Sequence, residues 1–268
     1  MDTFLRWAGS KRKLLPTLLK VIPADFNRYV EPFAGSACVF FALTPGSAVL
    51  GDINEDLINA YEQIKERVKD VIASLAQFST TDRDNAEENY YRVRSLEQSG
   101  MSDPERAARF IFLNRYCFNG LYRTNKRGQF NVPFGGDKSG LLPAAEELRS
   151  IAVALQTVRL VAGSFEATLS EVGTGDFCYI DPPYSIRARR VFNSYSHFGF
   201  GEHELSVLRL NLERLDRDGI PFLLSYGLSR EAMVLSAGFR SRHLVVKRQI
   251  AGFAAKRRNS RELLITNY

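Results

Sequence analysis

The segment Asp181-Pro182-Pro183-Tyr184 has residue types that suit chemistry on the exocyclic amino group of a nucleobase. Such a nitrogen is a poor nucleophile, because its lone pair is delocalised into the ring. A carboxylate at Asp181 and the backbone carbonyl of Pro182 can each accept one amino hydrogen and draw the lone pair out, while consecutive prolines hold the turn stiff. Tyr184 can then stack on the base. The alternative is a strand end with a proline turn and an exposed tyrosine.

A glycine turn at residues 31–37, with the sequence Glu-Pro-Phe-Ala-Gly-Ser-Ala, suits close approach of the backbone to a cofactor. The sequence contains no Gly-x-Gly-x-x-Gly and no Gly-Lys-Ser/Thr motif, which counts against dinucleotides and nucleoside triphosphates. Asp52 ends the next apolar run, where a carboxylate can accept hydrogen bonds from ribose hydroxyls. It could instead cap the following helix, and the local sequence leaves both interpretations open.

The elements that position these motifs can be predicted from apolar patterning. Apolar runs bounded by turn residues predict strands at 28–33, 48–52, 158–165, 176–180, 220–226, 239–250 and 261–267. Helical spacing predicts helices at 37–43, at 55–78, from about 143, and over Leu205, Leu208, Leu212 and Leu215. Asp103-Pro104 resembles an N-cap followed by proline at the first helical position, which predicts another helix through Asn114.

This order of elements predicts an open α/β sheet formed by residues 1–54 and 154–268, interrupted by a mostly helical insertion at 55–153. Ligands of such sheets bind outside the carboxyl ends of the strands. Glu31, Asp52 and Asp181 fall at these predicted ends. We therefore expect them to lie together at one edge.

The bulk composition is that of a globular protein. The 268 residues are 45% hydrophobic and 25% charged, which suits one large domain or a core domain with an insertion. No apolar run reaches the roughly 20 residues of a membrane span, and no signal peptide is evident, so we expect a cytoplasmic protein. Cys38, Cys117 and Cys178 lie far apart without metal-ligand spacing, which predicts buried, reduced thiols and no metal site.

Basic residues exceed acidic ones, and the formal net charge is +6. Lysines and arginines that neutralise phosphates release condensed counterions, so this balance favours a polyanionic partner. Residues 232–261 contain no acidic residue and eight basic ones, Arg240, Arg242, Lys247, Arg248, Lys256, Arg257, Arg258 and Arg261. A solvated basic face is the alternative explanation.

Taken together, these segments resemble the D12-class, Dam-like (alpha-group) DNA adenine-N6 methyltransferases. The resemblance covers almost the whole chain and rests on blocks at 4–11, 31–37, 52–54, 114–123, 130–135, 181–184 and 262–265. It implies a Rossmann-like, S-adenosylmethionine-dependent methyltransferase sheet with a target-recognition insertion. The expected activity is transfer of a methyl group to N6 of a flipped-out adenine in duplex DNA.

The resemblance also implies which residues bind the cofactor, S-adenosylmethionine. These are Trp7, Lys11, Phe33, Gly35, Asp52, Ile53, Ser164, Phe165 and Asp181. Ser164 and Phe165 match a strand end in the family. The sequence departs from the family pattern at Ala37, where a second glycine is usual, and at Ser10, where a glycine is common.

The insertion is expected to read DNA. The candidate DNA-binding residues are Arg6, Arg94, Phe118, Asn119, Leu121, Arg123, Asn125, Lys126, Pro133 and Lys138. Arg123 can read guanine bidentately, and Leu121 or Pro133 can contact a thymine methyl group. Phe118 is a candidate wedge, unless it belongs to the apolar face of a helix, and Asn119 a candidate partner of the orphaned base. Residues 119–123 resemble the recognition hairpin of GATC-specific members, so we expect GATC or a site that contains it.

Other functions remain open on the sequence alone. A cytosine-N4 or RNA methyltransferase uses related chemistry, although aspartate rather than serine at position 181 argues against it. A non-catalytic DNA-binding homologue would keep the fold but not all the site residues. We expect a monomer that binds double-stranded DNA.

Overall fold

The computed structural model describes residues 1–79, 85–136, 139, 141–184, 200–247 and 259–268. Within these ranges the strands are β1 Arg28–Glu31, β2 Ala48–Asp52, β3 Val158–Ala162, β4 Asp176–Ile180, β5 Phe222–Gly227, β6 Arg240–Lys247 and β7 Asn259–Thr266. They form one sheet in the order β3-β2-β1-β4-β5-β7-β6. The first five strands are parallel, and β7 runs antiparallel between β5 and β6. The sheet confirms the predicted Rossmann-like α/β class.

Helices cover both faces of the sheet and connect its strands. In the described ranges they are α1 Leu15–Val21, α2 Cys38–Leu43, α3 Glu55–Phe78, α4 Ala86–Ser95, α5 Asp103–Tyr116, α6 Ala145–Leu155, α7 Phe165–Leu169, α8 Glu202–Arg217 and α9 Arg230–Ser236. Short 3₁₀ turns occupy Lys11–Leu14 and Phe118–Gly120. The sequence did not predict α1, α4, α7 or α9. None of the described helices is both long and apolar enough to cross a membrane.

Several predicted boundaries are wrong by a few residues for local reasons. β1 stops at Glu31, because Pro32 lacks the N–H that a ladder needs. β3 stops at Ala162 rather than at 165, because Gly163 turns the chain and the Ser164 side chain accepts the N–H of Ala167. Ser164 and Phe165 therefore begin α7 and are not a strand end.

The segment between β2 and β3 carries α3 to α6. Asn54 caps α3 by accepting the Leu57 N–H at 3.1 Å. The N-cap of α5 is Ser102 rather than the expected Asp103, and Glu105 closes a capping box on it. A non-helical residue, Arg67, interrupts the predicted long helix α3.

Alternation along the strands divides the buried side chains between two faces. Tyr29 and Phe177 belong to the cluster that also contains the buried residues of α3 and α5, whereas Val30 and Cys178 face α7 and α8. All three cysteines are free and buried, as predicted. The segment between β2 and β3 thus shares a core with one face of the sheet.

Candidate active site

The carboxyl ends of three neighbouring strands bring acidic residues together, as expected. Glu31 ends β1, Asp52 ends β2 and Asp181 follows β4, and these strands are adjacent in the order β2-β1-β4. Glu31 is buried and accepts a hydrogen bond of 2.8 Å from the Tyr29 hydroxyl. Burial raises the pKa of Glu31 well above its ordinary value, and the nearby Asp181 adds to this effect.

The glycine turn after β1 is held from three sides. The backbone N–H of Gly35 donates to Asp52 Oδ2 at 3.0 Å, and the buried Tyr61 hydroxyl donates to the Gly35 carbonyl at 2.8 Å. Gly35 has a φ of +47°, and a Cβ there would lie 2.8 Å from the Trp7 ring. The turn therefore requires glycine for both its conformation and its contact with Trp7.

Asp52 joins this turn to the start of α3. Its Oδ1 accepts the N–H of Asn54 at 3.0 Å, while its Oδ2 holds Gly35. Because Asn54 is the N-cap of α3, the alternative in which Asp52 is the cap is wrong. Burial raises the pKa of Asp52, whereas the backbone N–H groups oppose the rise.

Apolar side chains lie on either side of Asp52 at the same edge. Ile53 follows it in sequence and is 45% exposed, which is unusual for an isoleucine next to a buried core. Phe33 stacks on Phe165 with centroids 5.2 Å apart, and Phe200 packs on both rings. A carboxylate beside exposed and aromatic apolar surface suits a ligand that has both hydroxyl groups and a flat ring.

Lys11 is buried against the acidic residue of the Asp-Pro-Pro-Tyr segment. Its Nζ lies 2.8 Å from Asp181 Oδ1 and donates to the Tyr184 hydroxyl at 3.0 Å. Only 5% of the Lys11 side chain is exposed, against 19% for Asp181. Burial lowers the pKa of Lys11, but the charge of Asp181, with Tyr184 and Glu262, outweighs burial and raises it. Lys11 therefore stays protonated beside Asp181.

Asp181 receives a second hydrogen bond from β5. The Ser225 hydroxyl donates to the same Oδ1 atom at 2.9 Å, so both hydrogen bonds from described residues go to one carboxylate oxygen. Burial raises the pKa of Asp181, and Lys11 and Ser225 oppose the rise. The arrangement fixes the orientation of the carboxylate.

Tyr184 lies over the end of β5. Its ring would be 3.2 Å from a Cβ placed on Gly227, and its centroid lies 5.2 Å from that of Tyr226. The Lys11 ammonium lies 5.1 Å from the centroid of the Tyr184 ring. Burial raises the pKa of Tyr184 to about 12, so the hydroxyl is neutral at physiological pH. Of the two prolines, Pro182 is buried and Pro183 exposed.

The N-terminal segment connects this site to the segment 114–123. Arg6 is tied to α5 twice, by its N–H to Asn114 Oδ1 at 2.8 Å and by its carbonyl to Asn114 Nδ2 at 2.6 Å. Trp7 stacks on Tyr122 with centroids 6.3 Å apart. Gly120, with a φ of +62°, lies so close to Arg6 that a Cβ would be 2.5 Å from the Arg6 side chain.

The candidate DNA-binding residues near the end of α5 are partly exposed. Phe118 lies beyond α5 and is 42% exposed, so the alternative that it belongs to the apolar face of a helix is wrong. Asn119 is exposed and has a left-handed φ of 56°. Leu121 is half-buried and packs against the core. The Nε of Arg123 donates a hydrogen bond of 2.6 Å to Oδ1 of Asn131, which holds the guanidinium in place.

Other predicted DNA contacts have structural partners of their own. Arg94 donates to the carbonyl of Val132 at 3.0 Å and lies over the Tyr91 ring. Asn125 Oδ1 accepts backbone N–H groups of the turn at 126–129. Lys126 and Pro133 are exposed. Lys138 and the basic residues Arg248, Lys256, Arg257 and Arg258 lie outside the described residues.

Sequence reasoning assigned no role to four residues that the structure brings to the site. Ser225 and Glu262 are polar residues within apolar strands, and Tyr61 and Asn114 lie on helices among apolar residues. A polar residue in an otherwise apolar run is the signal that could have identified the first two. No group of three or more side chains that could hold a metal lies among the described residues.

A family model and the curated relatives of this chain agree on one family. Residues 7–251 match the D12 class N6 adenine-specific DNA methyltransferases. The chain is 36% identical to the type II methyltransferase M1.LlaDCHI of Lactococcus lactis subsp. cremoris, over 99% of this chain and 95% of that protein. It is 33% identical to the type II methyltransferase M.MjaIII of Methanocaldococcus jannaschii, over 99% of this chain and 98% of that protein. It is 31% identical to the DNA adenine methylase of Haemophilus influenzae, over 97% of this chain and 92% of that protein. On this match and these identities, the chain belongs to the D12 class of N6 adenine-specific DNA methyltransferases.

Proposed function

We propose that this protein transfers a methyl group from S-adenosylmethionine to N6 of an adenine flipped out of duplex DNA, within GATC or a related site. The observation that carries the proposal is the fixed carboxylate of Asp181, whose Oδ1 is held by Lys11 and Ser225. With Oδ1 occupied, Oδ2 is the oxygen that accepts an amino hydrogen. Asp181 follows β4, and the neighbouring strand β1 leads into the glycine turn that suits the cofactor.

The residues at the edge of the sheet fit S-adenosylmethionine. Asp52 offers carboxylate oxygens for ribose hydroxyls, and the exposed Ile53 beside it offers an apolar surface for an adenine ring. The turn at Gly35 comes close to Trp7, and Phe33 and Phe165 form an aromatic wall. When bound, the cofactor supplies a methyl group on a sulfonium, and its transfer to N6 leaves a neutral thioether. These residues would hold it at the carboxyl ends of β1 and β2.

The chain contributes to the chemistry by orienting and activating the amino group. Asp181 and the Pro182 carbonyl accept the two N6 hydrogens, which draws the lone pair away from the ring. After methylation the nitrogen carries one proton too many, and the partly buried Asp181 carboxylate is placed to accept it. Lys11 stays protonated throughout, because the adjacent carboxylates raise its pKa. Tyr184 stacks on the base and remains neutral.

We assign DNA recognition to residues 55–153. The exposed Phe118 would fill the gap left by the flipped adenine, and Asn119 would pair with the orphaned base. Arg123 would read a guanine, with Asn131 fixing its guanidinium. Trp7 and Tyr122 would link this recognition to the cofactor turn. We expect the protein to act as a monomer. Its location should be the cytoplasm, which contains its DNA substrate.

A labelled-cofactor assay tests the proposal. The purified protein is incubated with labelled S-adenosylmethionine and a GATC duplex, the same duplex already methylated on both adenines, a duplex without GATC, and a matched RNA. Label on the unmethylated GATC duplex alone, recovered as N6-methyladenine, is expected. Label recovered as N4-methylcytosine or on RNA would favour the alternative methyltransferases, and no label on any substrate would favour a non-catalytic DNA-binding protein.

The recognition site has its own test. DNA from a methylation-deficient host that expresses the protein is sequenced at base resolution, and the methylated adenines are aligned. A GATC context, or a longer sequence that contains it, is expected from the likeness of residues 119–123 to recognition hairpins. A different context would overturn the GATC assignment while leaving methyl transfer intact.

A further inference from the structure

Glu262 is a buried carboxylate without a role in the mechanism above. It lies on β7, opposite Gly227 of β5 and Leu244 of β6. It is 4% exposed and is followed by the buried apolar residues Leu263, Leu264 and Ile265. An acidic side chain in such a place is strongly unfavourable unless it meets a positive charge.

In the part of the chain that the structure describes, Glu262 meets the positive charge of the Lys11 ammonium. Oε2 of Glu262 lies 3.6 Å from Lys11 Nζ, which is an ion-pair distance but longer than a hydrogen bond. The same Nζ lies 2.8 Å from Asp181 Oδ1 and 3.0 Å from the Tyr184 hydroxyl. An ammonium has three hydrogens and directs them at acceptors around it, so Glu262 and Asp181 compete for one group.

We propose that Glu262 is a positioning residue, which acts through Lys11 to hold the ammonium at Oδ1 of Asp181 and keep Oδ2 for the adenine amino group. Without the pull of Glu262, the ammonium would move towards Asp181 and bridge both of its oxygens. Oδ2 would then be occupied before the base arrives. This inference rests on the proposed role of Asp181.

The charge balance of this group supports the same role. Among the described residues, one ammonium faces the carboxyl groups of both Asp181 and Glu262, so acidic groups outnumber the cation there. During methyl transfer, positive charge builds up on the adenine nitrogen next to Asp181. A preorganised negative environment stabilises that charge, whereas a neutral one does so less well. Replacing Glu262 with glutamine would keep its shape and remove its contribution.

The titratable groups around Asp181 and Lys11 determine how the methyl-transfer rate should depend on pH. Among the described residues, those that face Asp181 and Lys11 are Glu31 from β1, Cys38 from α2, Tyr179 from β4, Tyr184 after β4 and Glu262 from β7. β5 adds the Ser225 hydroxyl, and the β6 residue opposite Glu262 is the apolar Leu244. The charge of Glu262 raises the pKa of Asp181, so its removal should let the carboxylate stay ionised to a lower pH.

Glu262→Gln tests the inference in the full-length protein, with Thr266→Val as the matched control. Thr266 is a buried polar residue on the same strand, and its hydroxyl donates to the Tyr268 carbonyl. Single-turnover methylation is measured across pH at saturating cofactor and DNA, together with S-adenosylhomocysteine affinity and thermal unfolding. Glu262→Gln should lower the rate by about tenfold or more, leave the affinity near that of wild type and move the acid limb to lower pH. Thr266→Val should lower stability only.

A double variant separates action through Lys11 from independent effects. Lys11→Met should lower the rate by itself, and Glu262→Gln should cause no further loss when combined with it. If Glu262→Gln does not fold, Glu262→Asp replaces it, since it keeps the charge but moves it away from Lys11, and should show a reduced rate with an unchanged acid limb. A wild-type rate and acid limb in Glu262→Gln, or additive losses in the double variant, would overturn the inference. Wild type and Asp181→Ala are assayed in parallel, because an inactive wild type or an active Asp181→Ala would instead count against the proposed function.

Discussion

Trp7 stacks on Tyr122, with ring centroids 6.3 Å apart and planes 22° from parallel. Trp7 also covers Gly35 of the proposed cofactor turn, and Tyr122 precedes Arg123 of the proposed recognition segment. The Tyr122 hydroxyl donates to Asp56 at the start of α3. The contact between Trp7 and Tyr122 thus connects the proposed cofactor turn to the proposed DNA-recognition segment.

Gly35→Ala should weaken cofactor binding and lower stability. A left-handed φ costs an alanine about 1 to 2 kcal/mol, and the contact with Trp7 adds about 1 to 3 kcal/mol of overpacking. Gly9→Ala is the matched control, since Gly9 also has a positive φ but no atom near its Cβ position. Thermal unfolding and calorimetry with S-adenosylhomocysteine are the measurements. Equal effects of both variants would show that the Trp7 contact is unimportant.

Asp181→Ala should lower the methyl-transfer rate by about 100-fold or more. DNA affinity should change little, because phosphate contacts supply most of the binding energy. Asp176→Asn is the matched control, since Asp176 is a buried acid at the other end of β4 and pairs with Arg28. It should lower stability without lowering the rate per folded molecule. Activity of Asp181→Ala within about tenfold of wild type would remove Asp181 from the chemistry.

The rate should fall as the pH drops through the pKa of Asp181, because only the ionised carboxylate accepts an amino hydrogen. Burial raises this pKa, so the acid limb should lie above the pH at which an exposed aspartate titrates. Ser225→Ala removes a hydrogen bond that lowers the pKa of Asp181, so the acid limb should move to higher pH. Single-turnover rates at saturating cofactor and DNA provide the profile. A limb that stays in place in Ser225→Ala would assign it to another group.

Asp52→Ala should weaken S-adenosylhomocysteine binding by about 1.5 to 3 kcal/mol, the value of a charge-assisted hydrogen bond. Part of this loss would come from the Gly35 turn, which Asp52 holds through its Oδ2. Asn54→Ala is the control, because it removes the cap of α3 at about 1 kcal/mol of stability but leaves the carboxylate. Isothermal titration distinguishes the two variants. Unchanged affinity in Asp52→Ala would limit Asp52 to a structural role.

Arg123→Ala should lower kcat/KM on the preferred site, by an amount that corresponds to a loss of about 1 to 3 kcal/mol of transition-state stabilisation. On a duplex altered at the base that Arg123 reads, the loss should be much smaller. Lys126→Ala is the comparison, since Lys126 is exposed and a phosphate contact should weaken all duplexes alike. Duplexes substituted one position at a time are assayed with each variant. An equal loss on every duplex would reassign Arg123 to the DNA backbone, and no loss would exclude it from the interface.

The sequence by itself determined the elements whose signals are local. β2 and β4 begin and end where the apolar runs predict, because each run is bounded by a turn and an acidic residue. α3 matches its predicted range because apolar residues recur at helical spacing along it. The boundary errors at β1 and β3 arose where proline or a capping serine ended a strand within an apolar stretch. The motif at 181–184 and the glycine turn were recognised from residue type and spacing alone.

Only the tertiary structure decided how the site residues are paired. Lys11 lies in a basic cluster of the sequence, yet it is buried against Asp181, which follows β4, and Glu262 of β7, both distant from it in the chain. Glu262 and Ser225 reach the site because β7 and β5 are neighbours in the sheet. Arg123 contacts Asn131 because a turn folds the chain back. Periodicity and composition report local conformation and burial, whereas the pairing of distant charges depends on the order of strands and on the desolvation that burial imposes.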